Sequence, residues 1–275
     1  MRAICTVLAV ALPVAALCLG CDKVSQKTEQ DRGRDIAHRN PVAAESIRLE
    51  GPKAESGYKR SQLGKGVWLE TKGNKRRVLV EAIVCLRDGE YGLECLLCRT
   101  GTKEHESVLH TSADARIIHA GLLAAGAVPG TPVQYKEVGK EITTIPPSGQ
   151  SIQVMLEYED RGRRISVPAQ EWVRNSKSKT AMREDWVFAG SRIWNNPQTG
   201  KTIYGASAEG GYICTSNVPT ALLDVPFESP KSLEGRSFEP FTEHIPPLDT
   251  TVMVVLEPKL GSAPARGSGK AARFK

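Results

Sequence analysis

Aromatic side chains are scarce in this chain, at 5% of 275 residues, so it has no obvious stacking platform for single-stranded nucleic acid. No GxSxG elbow occurs, which removes the usual signature of an exposed nucleophilic serine. No glycine-rich loop carries the Lys-Ser/Thr pair of a phosphate cradle. The best candidate, Gly205-Ala-Ser-Ala-Glu-Gly-Gly211, lacks that pair and is predicted to be a hairpin turn. Internal repeats at a fixed period are also missing. The body of the chain has no basic excess. Arg2 and the five basic residues of 259–275 account for six of the 37 Lys and Arg, and the other 31 balance 31 acids. A nucleic-acid partner is therefore not expected. Hydrophobic residues at 40% and charged residues at 25% exclude a multi-span membrane protein and a wholly disordered chain.

What the chain does have begins at its N-terminus. Arg2 is followed by an uncharged apolar run to Leu19, the pattern of a secretory leader over 1–20. The run closes on Gly20-Cys21-Asp22, and a small residue directly before cysteine resembles the lipobox of bacterial lipoproteins. Cys18 stands where that family usually carries leucine. The resemblance implies that Cys21 receives diacylglycerol and becomes the first mature residue. Several acyl chains give firm anchoring, whereas one chain alone is marginal. Residues 21–65 are polar and mixed in charge, too poor in apolar surface to offset their ordering entropy, and read as a lipidated cysteine plus flexible tether.

From residue 66 to 258 the texture is that of one folded domain. Val67-Trp68-Leu69 and the alternating residues 77–86 predict strands, and Arg87-Asp88-Gly89-Glu90 predicts a turn, so 77–98 reads as a hairpin. Residues 113–126 form the one clear helix: Asp114 opens it, Ile118, Leu122 and Ala125 follow at helical spacing, and Gly126 before Pro129 ends it. A second hairpin is predicted over 152–158 and 164–167, and a short helix near 169–175 starts after Pro168. Short strands recur at 186–189, 202–204, 212–215, 221–225 and 251–256. The expected fold is a single α+β domain, mostly antiparallel sheet with one clear helix. The tail, 259–275, reads as disordered and basic.

The chemistry-bearing residues crowd into one stretch: Cys95 and Cys98, then Lys103-Glu104-His105-Glu106, then His110 and His119. A CxxC start with histidines nearby suggests zinc. In a strand, however, residues three apart point to opposite faces with Cα atoms about 10 Å apart, so Cys95 and Cys98 neither chelate one ion nor bridge. His105-Glu106 with His110 gives HExxxH, and five helical steps rotate a side chain by roughly 500°, about 140° off the first. The zinc-peptidase arrangement fails on that spacing. Cys85, Cys95, Cys98 and Cys214 supply the four thiols of an iron–sulfur cluster, but without the spacing of a ferredoxin run. A structural disulfide is a further option: one register of the 77–98 hairpin opposes Cys85 and Cys95, and the four cysteines allow three complete pairings.

Several segments taken together resemble the YdjY domain family of bacterial exported proteins and lipoproteins. They are Val84-Cys85 through Gly89, Leu93-Glu94 with Cys95-Leu96-Leu97, and Gly101-Thr-Lys103-Glu104-His105-Glu106-Ser107. His119-Ala-Gly-Leu-Leu-Ala-Ala-Gly126, Pro168-Ala-Gln-Glu-Trp172 and Trp186-Val-Phe-Ala-Gly190-Ser191 follow, then Glu209-Gly210 and Asn217-Val-Pro-Thr-Ala-Leu-Leu-Asp224. The family has no established activity, though some members carry a ferredoxin label. The resemblance marks Lys103, His105, Glu106 and Asn217 as candidate binding positions. Their plain alternatives are a surface Lys103–Glu106 ion pair, a hydrogen-bonded turn residue at His105 and a turn former at Asn217. The expected function is a membrane-tethered lipoprotein of the cell envelope, facing periplasm or exterior. Its domain would bind a protein or small molecule without catalysis and without a cofactor. The alternative is a redox or metal protein using the four domain cysteines, with an iron–sulfur cluster or zinc.

Overall fold

The computed structural model describes residues 55, 57–89, 92–139, 141–232 and 235–259. The expected leader, Cys21, nearly all of the tether and the tail beyond Lys259 lie outside the described residues. The strands, in chain order, are β1 (Lys59–Gly64), β2 (Val67–Lys72), β3 (Lys75–Val84), β4 (Cys95–Arg99) and β5 (Ser107–Thr111). Next come β6 (Gln134–Val138), β7 (Glu141–Ile145), β8 (Ser151–Asp160), β9 (Arg163–Pro168), β10 (Val173–Asn175) and β11 (Trp186–Phe188). They end with β12 (Ile193–Asn195), β13 (Thr202–Tyr204), β14 (Gly211–Cys214), β15 (Leu223–Asp224), β16 (Phe238–Pro240) and β17 (Thr251–Pro258). The two α-helices are α1 (Ala115–Ala124) and α2 (Gly205–Glu209).

Eight strands close into a barrel in the order β3-β17-β8-β11-β15-β14-β4-β5, with β5 returning to β3. Closure depends on the length of β3. Its first half pairs with β2 from Lys75 to Val80, and beyond Glu81 the same edge passes to β5 through Ile83↔His110 and Val84↔Leu109. The other edge of β3 runs along β17. A ring of eight is just wide enough for side chains to fill. One face of the sheet carries Val78, Val80, Ala82, Val84, Val154, Leu156, Val252 and Val254 into the main core with Trp172, Trp186 and Tyr212. The opposite face of β2, β3 and β17 buries a smaller cluster of Trp68, Leu79, Met253 and Val255. This is the period-two alternation of strands with both faces covered.

The described residues are therefore mostly β, 45% strand and 13% helical, and the α+β expectation is corrected to a closed barrel with two α-helices among the described residues. The expected hairpin at 77–98 is also corrected. β3 and β4 do not pair: β4 runs parallel to β5 and antiparallel to β14. The helix is where the sequence puts it. The Asp114 carboxylate accepts from the Arg116 N–H at 2.9 Å, and Gly126 stops the helix in the left-handed region at φ 92°. Its inner face is held close to the sheet at Gly121, where an added Cβ would sit 2.9 Å from Leu63 Cδ1. The hairpin of β8 and β9 forms as expected. The short helix near 169–175 is a single 3-10 turn, Ala169–Trp172, that runs straight into β10. The predicted turn at 205–211 instead holds α2, capped by Gly210 at φ 83°. Strand β1 pairs with β2, so the sheet starts inside the segment read as tether.

Candidate functional site

The segment Glu104–Glu106 forms a 3-10 turn between β4 and β5, with Lys103 directly before it. Lys103 turns inward. Its Nζ lies 2.5 Å from Glu94 Oε1 and 3.2 Å from Glu106 Oε1. Arg236 Nη2 reaches Glu106 Oε2 at 2.7 Å and stands 3.6 Å from Glu94 Oε2, with Lys231 Nζ at 3.5 Å. The Lys103 and Glu106 side chains are only 15% and 12% exposed, so the pair read as a surface contact belongs to a largely buried network. Glu94 sits at its centre, 1% exposed, and its Oε2 accepts no hydrogen bond from the described residues. Its backbone ties the network to the barrel: the N–H donates to Glu106 O, and the C=O accepts from Thr215 and Ser216. Burial pushes the Glu106 carboxyl up, but Arg236 and Lys103 outweigh it and hold that group below its ordinary range. Burial likewise opposes the charge on Lys103, and Glu94 overrides it, raising the amine. His105 is 77% exposed and 3.9 Å from Glu106, outside the network.

Asn217 does not join these residues. Its Nδ2 donates to Asp224 Oδ1 and Val225 O, both at 3.2 Å, and its Oδ1 accepts from Ser229 N–H at 2.8 Å. All of this is buried. Asp224 also accepts from the N–H groups of Val218 at 3.1 Å and Val225 at 2.7 Å. The pair thus holds the loop between β14 and β15 by satisfying its backbone donors. Asn217 shapes a turn.

The four domain cysteines are all free thiols. They meet as two pairs. Cys95 and Cys214 face each other across β4 and β14 with sulfurs 3.3 Å apart. Cys85 donates its thiol to Ser107 O at 3.1 Å, and Cys98 lies close enough to raise the Cys85 pKa while its own is lowered. Among the described residues no three Cys, His, Asp or Glu side chains converge on a point a metal could occupy. A four-thiolate cluster does not fit this arrangement, because such a cluster needs four sulfurs around one centre.

The residues that line a cleft beside α1 were not singled out by sequence reasoning as a group. A cavity of about 670 Å³ opens between the outer face of α1, the β12–β13 hairpin and α2. Arg116, His119, Ala120 and Leu123 share that face because residues three and four apart stack along a helix. Ile193, Ile203, Tyr204 and Ala208 complete a mostly apolar wall. Two large apolar side chains stay exposed at its rim, Leu123 at 47% and Ile193 at 60%. One signal was visible beforehand: Leu123 follows core residue Leu122 and so points about 100° round the helix from it. His119 Nδ1 sits 2.9 Å from Tyr204 OH, and Tyr204 OH is 3.3 Å from Gly190 O. Gly190 O can only accept, so the arrangement that satisfies both contacts has Tyr204 donating to Gly190 and His119 Nδ1–H donating to Tyr204. That leaves Nε2 as an acceptor. Burial lowers the His119 pKa and so favours neutral imidazole. Arg116 is neutralised by Asp114 at 2.5 Å, and Ser207 donates to the same carboxylate at 3.3 Å rather than to an imidazole. The cleft offers shape, apolar surface and one acceptor, with no nucleophile set against a base.

Comparison with curated proteins and with solved structures returns no match. The YdjY domain family model, by contrast, matches residues 69–257, a stretch that takes in the whole barrel, the buried Glu94 network, both thiol pairs and the cleft beside α1. On that match, the chain belongs to the YdjY domain family.

Proposed function

We propose that the chain is a lipoprotein of the cell envelope, anchored through acylated Cys21, whose barrel binds a small uncharged molecule and does not catalyse a reaction. The cleft beside α1 carries the binding half of this reading. Its volume of about 670 Å³ falls in the usual range for small-molecule pockets, roughly 300–1,000 Å³. A charged ligand finds no free counter-charge there, since Arg116 is paired with Asp114 and His119 is neutral. The fitting ligand has an apolar body and one hydrogen-bond donor for His119. Decanol and decanoate are the probes. Decanol should raise the thermal midpoint of the full-length protein and decanoate should not. Leu123→Lys should abolish the decanol effect with little change in intrinsic stability, because that side chain is already half exposed. Equal responses to both probes, or none to decanol, would remove the assignment.

The anchoring half rests on the leader and the Gly20-Cys21 junction. Metabolic labelling with a fatty acid should mark the wild-type chain, and Cys21→Ser should abolish the label and release the protein from the detergent phase. A Cys21→Ser chain that still takes the label would refute this anchor.

A further inference from the structure

The structure assigns Cys95 and Cys214 as a disulfide-forming pair, closed by thiol–disulfide exchange with an external disulfide, that staples β4 to β14 in the barrel wall. The two residues are register partners on antiparallel strands, beside a register shift between Ile213 and Cys214. Their sulfurs are already 3.3 Å apart, so bond formation needs only a small approach. Gly211 makes the room: a Cβ there would sit 2.9 Å from Cys214 Sγ and 3.6 Å from Cys95 Sγ. Val218 and Ala221 pack around the pair and leave it fully buried. Cys98, the nearest alternative in sequence, lies beside Cys85 in a separate pair. The thiols are sealed in the folded barrel, which places the reaction before or during folding. One protein thiolate attacks the external disulfide, forming a mixed disulfide and releasing one thiolate. The second protein thiolate then attacks the protein sulfur of that intermediate, forming the Cys95–Cys214 bond and releasing the other half. The protons of the two cysteines end on the two thiols released, and the external disulfide is the species reduced.

The capacity to form this bond is a property of the fold, whereas its presence in the cell rests on the envelope location proposed above. The full-length protein, unfolded and refolded in a mixture of reduced and oxidised glutathione, should give a single internal linkage joining the Cys95 and Cys214 peptides. Cys85 and Cys98 should alkylate as free thiols. Reducing the linkage should raise the unfolding equilibrium constant on the order of a thousandfold, as expected for a long closed loop. A Cys85→Ser, Cys98→Ser double variant should keep the linkage, and Cys95→Ser should lose it. Linkage of Cys85 to Cys98, a scrambled mixture, or four alkylated domain thiols would overturn the assignment. Formation in vitro but free thiols in acid-quenched cells would uphold it and count against the envelope location instead.

Discussion

Replacing Glu94 by alanine is expected to lower folding stability by about 3–5 kcal/mol, the range seen when one partner of a buried ion pair is removed. The substitution takes from Lys103, 15% exposed, its closest carboxylate, and from Arg236, 6% exposed, one of its acidic neighbours. Urea unfolding of wild type, Glu94→Ala and Glu94→Gln reads the loss. Glutamine keeps an acceptor for Lys103 but not the charge, so it should recover only a part. A loss below about 1 kcal/mol would mean that solvent screens the cluster as it does a surface pair. The pH profile gives a second readout. Glu106 is held below its ordinary value of 4.5, so its contribution is complete above that pH and disappears as pH falls through the lower folded value. Lys103 is held above 10.5, so its contribution is complete below that pH and is lost as pH rises through the folded value. Glu94 is the main source of the Lys103 shift, and its removal should flatten the alkaline limb most.

Trp186→Ala should be comparably damaging, at about 3–5 kcal/mol for a fully buried aromatic. Its position makes the loss hard to absorb. β11 joins the ring through only two register pairs on each side, Trp186↔Ile152 and Val187↔Ser151 toward β8, Val187↔Asp224 and Phe188↔Leu223 toward β15. The indole Nε1–H also donates to Cys214 O at 2.8 Å, tying β11 to β14 behind β15. Trp186→Phe keeps most of the ring volume and isolates that hydrogen bond, worth about 1 kcal/mol. Denaturant midpoints of the two variants should therefore fall in clear order, alanine far below phenylalanine. Equal midpoints would place the stabilisation in the hydrogen bond instead of in packing.

Local signals were readable from the residues alone. Asp114 and Gly126 bracket α1 because a carboxylate caps free N–H groups and glycine tolerates a left-handed terminus. The β8–β9 turn was visible in Asp160-Arg161-Gly162, where the structure places positive φ at both Arg161 and Gly162. Non-local pairing was not readable. Nothing near Cys95 announces that its cross-strand partner is Cys214, and the four cysteines left three complete pairings open. The closed barrel escaped detection for the same reason, since its closure is a transfer of one β3 edge from β2 to β5. Lys103 and Glu106 were picked out correctly as a pair, but their burial is imposed by Arg236 and Glu94 from elsewhere in the fold. The cleft beside α1 needs β12 and β13 to exist, and no spacing within the helix could supply them.

The position of β17 has a kinetic consequence. The last strand among the described residues is interior to the ring, wedged between β3 and β8, so the barrel has a gap until Pro258 has left the ribosome. Sheet topologies of such high contact order nucleate late and slowly. A nascent chain that cannot complete its barrel early stays threadable, which suits the export proposed above.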